Sequence, residues 1–379
     1  MSGEYRFGIE EEYFINDAVK RDAARARMQE FFAQAREHLS RDIHREMLEP
    51  QVEIATTPSF DFADAHRQLA GLRSGLGAIA EELDLSIMAS GTHPLAVWSR
   101  VRATNQPRYG KVMHDLQMIG SRLVLCGMHV HVEVPDLELR VDIMNRLQPY
   151  LPLLLALSTS SPFWQAQRTG LLGYRLAAYR ELPRTGLPDL FESAADYQRY
   201  IDTLVAARAI QDSSYVWWVI RPSRKHPTLE LRVADSCTRV DDAIAIAALY
   251  RCLVRRLAIA RGLNAGRTGA SRAITDENCW RAQRYGIHGS FVDETTRTAK
   301  PVGEVLEEVL DLVDDDARAL GCEREVDLAR RIIARGTSAD QQLTLYTEGR
   351  GRGLSNRDAL AAVVDWLTAE TVGAPVVRH

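Results

Sequence analysis

The sequence predicts an α+β fold, in which β-strands and helices alternate at first and helices dominate from about residue 240. Three observations predict it. Several short segments alternate apolar and polar residues with the period of two of a strand. Segments between them repeat apolar residues at helical spacing, and residues 241–263 carry a continuous apolar face. Because the 379 residues contain no internal repeat or linker, we expect one domain over 1–379.

The predicted strands are short runs bounded by turn residues. They lie at 7–15, 46–56, 86–90, 123–134, 215–221 and 228–234. Pro58 follows the second strand and Gly91 closes the third, and the turn 222–227 joins the last two.

The predicted helices follow the 3.6-residue period. They lie at 22–39, 63–83, 137–157, 195–209 and 241–263, with one more after Pro301 and a last one after Ser355. Pro301 suits a first helical position, and Ser355 with Asp358 resembles a capping box. Residues 106–116 fit a helix or a loop equally well. Residues 158–188 lack a clear period, and a long loop rich in arginine and aromatic residues favours a functional role.

Composition excludes several kinds of partner. Lys and Arg number 47 and Asp and Glu 51, so the net charge of −4 argues against a nucleic-acid partner. The N-terminus lacks the apolar core of a signal peptide, and the strongest apolar run, 150–157, is far shorter than the ~20 residues of a spanning helix. Five cysteines without a CxxC pair indicate reduced thiols. We therefore expect a cytoplasmic protein with no membrane partner.

The segment 123–134 is the most informative part of the chain. On a strand, His129, His131 and Glu133 point to one face, and valines 130, 132 and 134 point to the other. Two imidazoles and a carboxylate are costly to bury without a ligand. Taken alone, the segment fits equally a half-exposed strand whose polar face meets water.

Three other predicted strands carry a similar polar face. Their residues are Glu10 and Glu12; Glu49, Gln51 and Glu53, with Glu46 just upstream; and Glu230 with Arg232. Each is unremarkable alone, because an amphipathic strand turns polar residues outward. If the four strands are neighbours in one sheet, their carboxylates repel one another unless a cation neutralises them.

The residue types indicate magnesium and phosphate. Mg²⁺ prefers carboxylate oxygens and is commonly shared with nucleotide phosphates. Arg232 suits phosphate oxygens because its planar guanidinium binds them in pairs. The chain has no P-loop sequence and no kinase-type glycine loop, so the common nucleotide folds are not indicated.

These motifs, in this order, resemble the glutamine synthetase superfamily. The longer segments are similar to the bacterial carboxylate–amine ligases known as type 2 glutamate–cysteine ligases, over nearly the whole chain. The segments are Gly8-Ile-Glu-Glu-Glu12, Cys126-Gly-Met-His-Val-His131, Ser160-Ser-Pro-Phe-Trp164, Ile220-Arg-Pro-Ser223, Thr228-Leu-Glu-Leu-Arg-Val-Ala-Asp235 and Trp280-Arg-Ala-Gln-Arg-Tyr-Gly286.

The resemblance implies a curved, mostly antiparallel sheet with helices packed outside it, holding ATP and two or three Mg²⁺ ions. It also implies a homo-oligomer. The implied metal ligands are Glu10, Glu12, Glu53, His129 and Glu230, with Glu46 less securely placed. Arg232 would bind the transferring phosphate, His131 would lie near the nucleotide, and Arg221 would bind phosphate or a substrate carboxylate.

One residue departs from the family pattern, and one segment has residues whose roles the resemblance does not assign. Glu133 occupies a position where the resemblance predicts glycine, and it either alters the nucleotide site or faces solvent. The segment containing Tyr174, Arg175, Tyr179 and Arg180 looks like a substrate-facing loop, without side-chain roles that can be assigned.

The implied activity is ATP-dependent amide formation through an acyl phosphate. The donor would be the γ-carboxylate of glutamate and the acceptor an amine such as that of cysteine, with ADP and phosphate released. Such turnover could be weak. Three alternatives stay open: a metal-dependent hydrolase that uses the His-x-His and carboxylate residues, a guanidino kinase-like phosphotransferase, and a non-catalytic nucleotide-binding descendant.

Overall fold

The computed structural model describes residues 5–39, 43–105 and 107–373. The strands are β1 (Phe7–Asp17), β2 (Ile43–Arg45), β3 (Gln51–Ala55), β4 (Leu85–Met88), β5 (Met128–Glu133), β6 (Phe163–Trp164), β7 (Gln167–Arg168), β8 (Thr185–Gly186), β9 (Trp217–Trp218), β10 (Ile220–Pro222), β11 (Thr228–Leu231), β12 (Ser290–Asp293) and β13 (Thr298–Pro301). The helices are α1 (Met28–His38), α2 (Phe62–Glu82), α3 (Pro107–Leu116), α4 (Met118–Ser121), α5 (Leu137–Leu147), α6 (Leu151–Ser158), α7 (Tyr174–Tyr179), α8 (Ala194–Ala206), α9 (Val240–Ile259), α10 (Gly269–Tyr285), α11 (Val302–Leu320), α12 (Glu323–Arg335), α13 (Ser338–Gly351) and α14 (Asn356–Val372).

The main sheet is built around β1. Within the described ranges it has seven strands, in the order β10–β11–β5–β1–β3–β2, and β4 pairs with the C-terminal end of β1. Every pair in it is antiparallel. With 11 residues, β1 is long enough to contact β5, β3 and β4 in turn along its length.

The register brings the polar positions of distant segments onto one face. The pairs directly opposite each other are Glu10 and His129, Glu12 and Glu53, His131 and Glu230, and Arg221 and Glu230. Opposite residues in an antiparallel pair point to the same side. The four polar segments seen in the sequence therefore form one continuous face.

The other face of the sheet is apolar and is covered by helices. Ile9, Ile54, Val130 and Leu231 are fully buried there. Helix α2 packs on β1, α5 on β11 and α9 on β5, and α11 and α12 pack on the outer side of α9. The helical C-terminal part expected from about residue 240 thus encloses the core behind the sheet.

Several predicted boundaries are wrong for local reasons. The strand expected at 46–56 begins at Gln51, because 46–50 turns after β2. The strand expected at 123–134 begins at Met128. The helix expected at 137–157 is divided into α5 and α6 by a 3₁₀ turn that contains Pro149, which has no N–H to donate.

Other segments resolve what the sequence left open. Residues 107–116 form α3, whereas residue 106 lies outside the described residues. The segment 158–188 contains α7 and three short strands instead of a plain loop. Ser355 caps α14 by accepting a hydrogen bond from the Asp358 N–H, as the capping pattern predicts. The helix α10 and the β12–β13 hairpin were not predicted.

None of the helices in the described ranges combines the length and the hydropathy needed to span a membrane.

Candidate metal and phosphate site

A cavity of about 430 Å³ lies against the polar face of the main sheet. Its floor is formed by side chains of β1, β3, β5 and β11, and its walls come from 44–47, α7 and the turn 223–226. The residues that line it include all nine predicted site residues: Glu10, Glu12, Glu46, Glu53, His129, His131, Arg221, Glu230 and Arg232.

Two groups of ligand atoms share His129. One atom each from Glu10, His129 and Glu230 lie within 4.8 Å of one another, and so do atoms of Glu12, Glu53 and His129. Because β1 lies between β3 and β5, its alternate carboxylates reach both neighbouring strands. The sheet therefore presents two adjacent sets of oxygen and nitrogen ligands.

The histidines are oriented through their Nδ1 atoms and point their Nε2 atoms toward carboxylates: His131 Nε2 lies 3.5 Å from Glu10 Oε1, and His129 Nε2 lies 3.9 Å from Glu12 Oε1. His131 Nδ1 lies 2.8 Å from the Thr228 hydroxyl, and His129 Nδ1 lies 3.4 Å from Glu10 Oε2. Within the described part of the chain, the buried Nε2 atoms of His129 and His131 and the Nε of Arg232 have no hydrogen-bond partner. Buried polar atoms of this kind are rare without a ligand. This donor set fits a divalent cation beside a phosphate group.

The carboxylates perturb one another strongly. Burial, and then the charges of Glu46, Glu10 and Glu12, raise the pKa of Glu53 well above its usual range. Burial and the nearby Glu12 raise the pKa of Glu46 to about 8. Burial also acts to raise the pKa of Glu10, but the imidazoles of His129 and His131, whose ring nitrogens lie 3.4 and 3.5 Å from its oxygens, outweigh burial and lower that pKa. A bound cation would favour the ionised form of all these groups.

Glu230 is held by two arginines. Arg221 Nε and Nη2 donate to its two oxygens at 2.8 and 3.1 Å, and Arg232 Nη1 donates to Oε1. Burial opposes ionisation of Glu230, but the charges of Arg221 and Arg232 lower its pKa well below the usual range. The remaining amino group of Arg221 donates to the carbonyl of Val216 at 2.7 Å. Arg221 thus orients Glu230, while Arg232 has donors left for a ligand.

Three residues of the segment 158–188 line the cavity: Arg175, Tyr179 and Leu182. Arg175 is buried and donates to the carbonyls of Arg232 and Ala234, and Tyr179 Oη lies 3.4 Å from Arg232 Nη2. Arg180 instead pairs with Asp276 and does not line the cavity. Tyr174 packs on Trp164. The sequence indicated this segment but did not separate its inward residues from its outward ones.

Other lining residues come from a turn that was predicted without a functional role, although Ser223 ends the segment Ile220-Arg-Pro-Ser223. Ser223, Arg224, Lys225 and His226 reach the cavity from the turn between β10 and β11. Glu133, in contrast, pairs with Arg6 at 3.3 Å and does not line the cavity. Glu133 lies at the end of β5, opposite Thr228, where the polar face extends beyond the cavity.

The fold and the site together define the class of protein. Two solved structures align over almost the whole chain. A glutamate–cysteine ligase from Francisella tularensis in complex with AMP has a TM-score of 0.72 and 13% identity, over 98% of this chain and 90% of that one. A bifunctional glutathione synthetase from Pasteurella multocida has a TM-score of 0.71 and 15% identity; 97% of this chain corresponds to only 53% of that protein. These similarities confirm the predicted glutamine synthetase-like α+β fold.

Sequence comparison identifies the family. A family model for glutamate–cysteine ligase family 2 matches residues 6–362. Proteins named "Putative glutamate–cysteine ligase 2" are 46% identical over 377 residues in Bradyrhizobium diazoefficiens, covering 100% of this chain and 86% of theirs, and 44% identical over 372 residues in Rhodospirillum rubrum, covering 97% and 96%. The chain therefore belongs to glutamate–cysteine ligase family 2, which confirms the resemblance seen in the sequence.

Proposed function

We propose that the protein is an ATP-dependent carboxylate–amine ligase that joins the γ-carboxylate of glutamate to the amine of cysteine and releases ADP and phosphate. The observation that carries the proposal is the pair of ligand groups that share His129, with Arg232 3.4 Å from that histidine. Family membership supports the same reaction, and nothing in the comparisons favours the hydrolase or the guanidino kinase.

The residues fit Mg²⁺ in two places. Glu10, His129 and Glu230 would hold one ion, and Glu12, Glu53 and His129 a second, with Glu46 beside Glu53. When bound, Mg²⁺ neutralises the triphosphate and polarises its terminal phosphoryl group.

The arginines supply the remaining positive charge. Arg232 faces the cavity with a buried, unpartnered Nε and binds the phosphoryl group during its transfer. Arg221 keeps Glu230 in place and ionised, so it acts as a positioning residue. We assign His131 to the nucleotide, as the family resemblance implies; its buried Nε2, 3.5 Å from Glu10 Oε1, has no hydrogen-bond partner in the described ranges and supports this role.

The reaction balances in two displacements. A carboxylate oxygen of glutamate attacks the γ-phosphorus of ATP, and the bond to ADP breaks. The amine then attacks the acyl carbon, phosphate leaves, and the nitrogen loses a proton. No enzyme nucleophile is needed, so catalysis rests on orientation and charge stabilisation. Cys126 is fully buried and beside Gln51, which agrees with its having no nucleophilic role.

An ADP-release assay with Mg²⁺, glutamate and a panel of amines tests the proposal. We expect release that depends on cysteine or a related amine, and loss of at least about a hundredfold in Glu53→Gln and Arg232→Ala. Glu133→Gln and the exposed Arg318→Ala are matched controls that should keep activity. AMP and pyrophosphate as products, or full activity in both site variants, would contradict it.

The cellular location and the oligomeric state of the enzyme are part of the same proposal. We place it in the cytoplasm, which agrees with its five free cysteines, and we propose a homo-oligomer, as its family resemblance implies. Light scattering after size-exclusion chromatography gives the mass in solution, and a monomer at assay concentration contradicts the oligomer.

A further inference from the structure

A second cavity, of about 610 Å³, lies next to the candidate metal and phosphate site. Trp217 lines both cavities. Leu182 faces the first cavity while Pro183 and Arg184 face the second, and Ser214 faces the first while Tyr215 faces the second. Two short segments, 182–186 and 213–218, therefore form a partition between the cavities.

The partition is held together by its backbone. β8 and β9 pair in parallel within it, the Trp217 N–H donates to the Arg184 carbonyl at 2.9 Å, and the Val219 N–H donates to the Gly186 carbonyl at 3.0 Å. Arg184 closes it further, because its Nε donates to the Tyr215 carbonyl at 3.0 Å. A ligand that contacts this partition would act on both of its segments together.

The lining of the second cavity combines apolar surface with positive charge. Its apolar and aromatic residues are Val112, Leu116, Pro183, Val205, Ile210, Tyr215 and Trp217. Among the described residues that line it, Lys111, Arg184 and Arg208 are cations and Asp115 is the one carboxylate. Asp115 lies beside His114, and within the described ranges neither the Lys111 ammonium nor the Arg208 guanidinium has an ion pair or a side-chain hydrogen bond. The charge balance favours an anion that carries an apolar group.

Both arginines are presented by an unusual backbone conformation. Arg184 and Arg208 each have φ of 57°, in the left-handed region that disfavours side chains with a Cβ. The Arg184 guanidinium also stacks 5.6 Å from the Trp217 ring. The positive φ of Arg208 belongs to the C-terminal cap of α8, where the Arg208 N–H donates to the Val205 carbonyl and the Ala209 N–H donates to the Leu204 carbonyl, each at 2.9 Å.

The partition is connected to the metal site through Arg221. Arg221 donates to the carbonyls of Ser214 and Val216, which alternate with the cavity-lining Tyr215 and Trp217. The same guanidinium holds both oxygens of Glu230. Movement of residues 214–217 therefore changes the support of a candidate metal ligand.

We propose that the second cavity binds a small organic carboxylate with an apolar body, and that its occupation changes the cation affinity of the Glu10–His129–Glu230 group through Arg221. The coupling, but not the binding, rests on the proposed function. Because binding equilibria are linked, Mg²⁺ must change the affinity for the carboxylate by the same factor.

Isothermal titration calorimetry without ATP tests the binding. The probe is 3-phenylpropionate, with 3-phenylpropylamine as the cationic counterpart. We expect the carboxylate to bind and the amine not to bind. The affinity for 3-phenylpropionate should fall about tenfold in Arg208→Gln, which loses one charge contact. It should fall further in the double variant Arg184→Gln/Arg208→Gln, which loses two. Arg199→Gln, an exposed arginine of α8 outside the cavity, should bind as the wild type does.

A second titration tests the coupling. Mg²⁺ affinity is measured with and without saturating 3-phenylpropionate, and we expect at least a threefold difference that shrinks in Arg221→Lys. The proposed site is overturned if the wild type does not bind the probe at millimolar concentration. It is also overturned if Arg208→Gln and the double variant both bind the probe with the affinity of the wild type. Binding with unchanged Mg²⁺ affinity overturns the coupling. Since neither titration involves ATP or turnover, failure of the ligase assay leaves these results interpretable.

Discussion

Glu11 and Arg73 form a fully buried ion pair directly behind the candidate metal site, with Arg73 Nη2 2.6 Å from Glu11 Oε1. Glu11 lies on β1 between two predicted metal ligands but points to the helix side of the sheet. Arg73 also donates to the carbonyls of Cys237 and Thr238, each at 2.7 Å. The pair thus ties β1 to α2 and to the segment that follows β11.

Breaking this pair should destabilise the protein strongly. Arg73→Met leaves a buried carboxylate without its partner, and we expect the free energy of unfolding in urea to fall by about 3–5 kcal/mol. The double variant Glu11→Leu/Arg73→Met should lose less than the single one. The exposed Arg330→Met should change stability by about 0.5 kcal/mol or less. A loss in Arg73→Met no larger than in Arg330→Met would disprove the role of the pair.

Glu53→Gln should improve stability while it weakens Mg²⁺ binding. Without metal, the crowded acids oppose ionisation of Glu53, so a neutral amide should stabilise the metal-free protein by about 1 kcal/mol. Mg²⁺ at a hundredfold excess over its Kd should stabilise the wild type by about 2.7 kcal/mol, and the variant by less. Thermal unfolding with EDTA and with Mg²⁺ measures both effects. The prediction is wrong if, in EDTA, Glu53→Gln is less stable than the wild type.

The metal-free protein should lose stability as the pH rises from about 4.5 to about 8. Glu46, with its ordinary value of 4.5 and a folded-state pKa of about 8, keeps its proton in the folded state after the unfolded chain has lost it. The unfolded state then binds fewer protons, so the free energy of unfolding falls with pH, by up to about 1.4 kcal/mol per pH unit for one group. Denaturation in EDTA at several pH values shows this slope. Glu46→Gln should flatten it and the exposed Glu30→Gln should not; equal slopes in all three proteins would refute the assignment.

Gly127→Ala should disturb the site, and Gly8→Ala should not. A Cβ at Gly127 would lie 2.1 Å from Arg175 Nη2, whereas the nearest atoms to a Cβ at Gly8 are 4.0 Å away. Since Arg175 is buried and hydrogen-bonded, we expect Gly127→Ala to lower stability by about 1–3 kcal/mol and ADP release by about tenfold. Unfolding curves measure the stability of the two variants, and the ligase assay measures their ADP release. Similar behaviour of the two would mean that Arg175 adapts freely.

Much of the site follows from the period of a strand. Alternation alone places Glu10 and Glu12 on one side of β1 and Glu11 on the other, and it does the same for His129 and His131 on β5. The structure places all of them as alternation requires. The family resemblance added Glu46, whose place just before β3 no periodicity predicts.

The periodicity of single strands does not predict contacts between segments that are distant in the sequence. No pattern in α2 marks Arg73 as the partner of Glu11, 62 residues away. Arg221 looked like a residue for binding a ligand, but its donors are occupied by Glu230 and by backbone carbonyls. Alternation also assigned Glu133 to the polar face without showing that the cavity ends before it.

The sequence by itself determined the four strands that carry the site, their polar faces and the kinds of ligand atoms, because the alternation of side chains is a local property of the backbone. Only the tertiary structure decided that His129 is shared by two ligand groups, and that a partition through Trp217 separates a second cavity from them. Both depend on strand register and on loop packing, which are set by contacts between residues far apart in the chain.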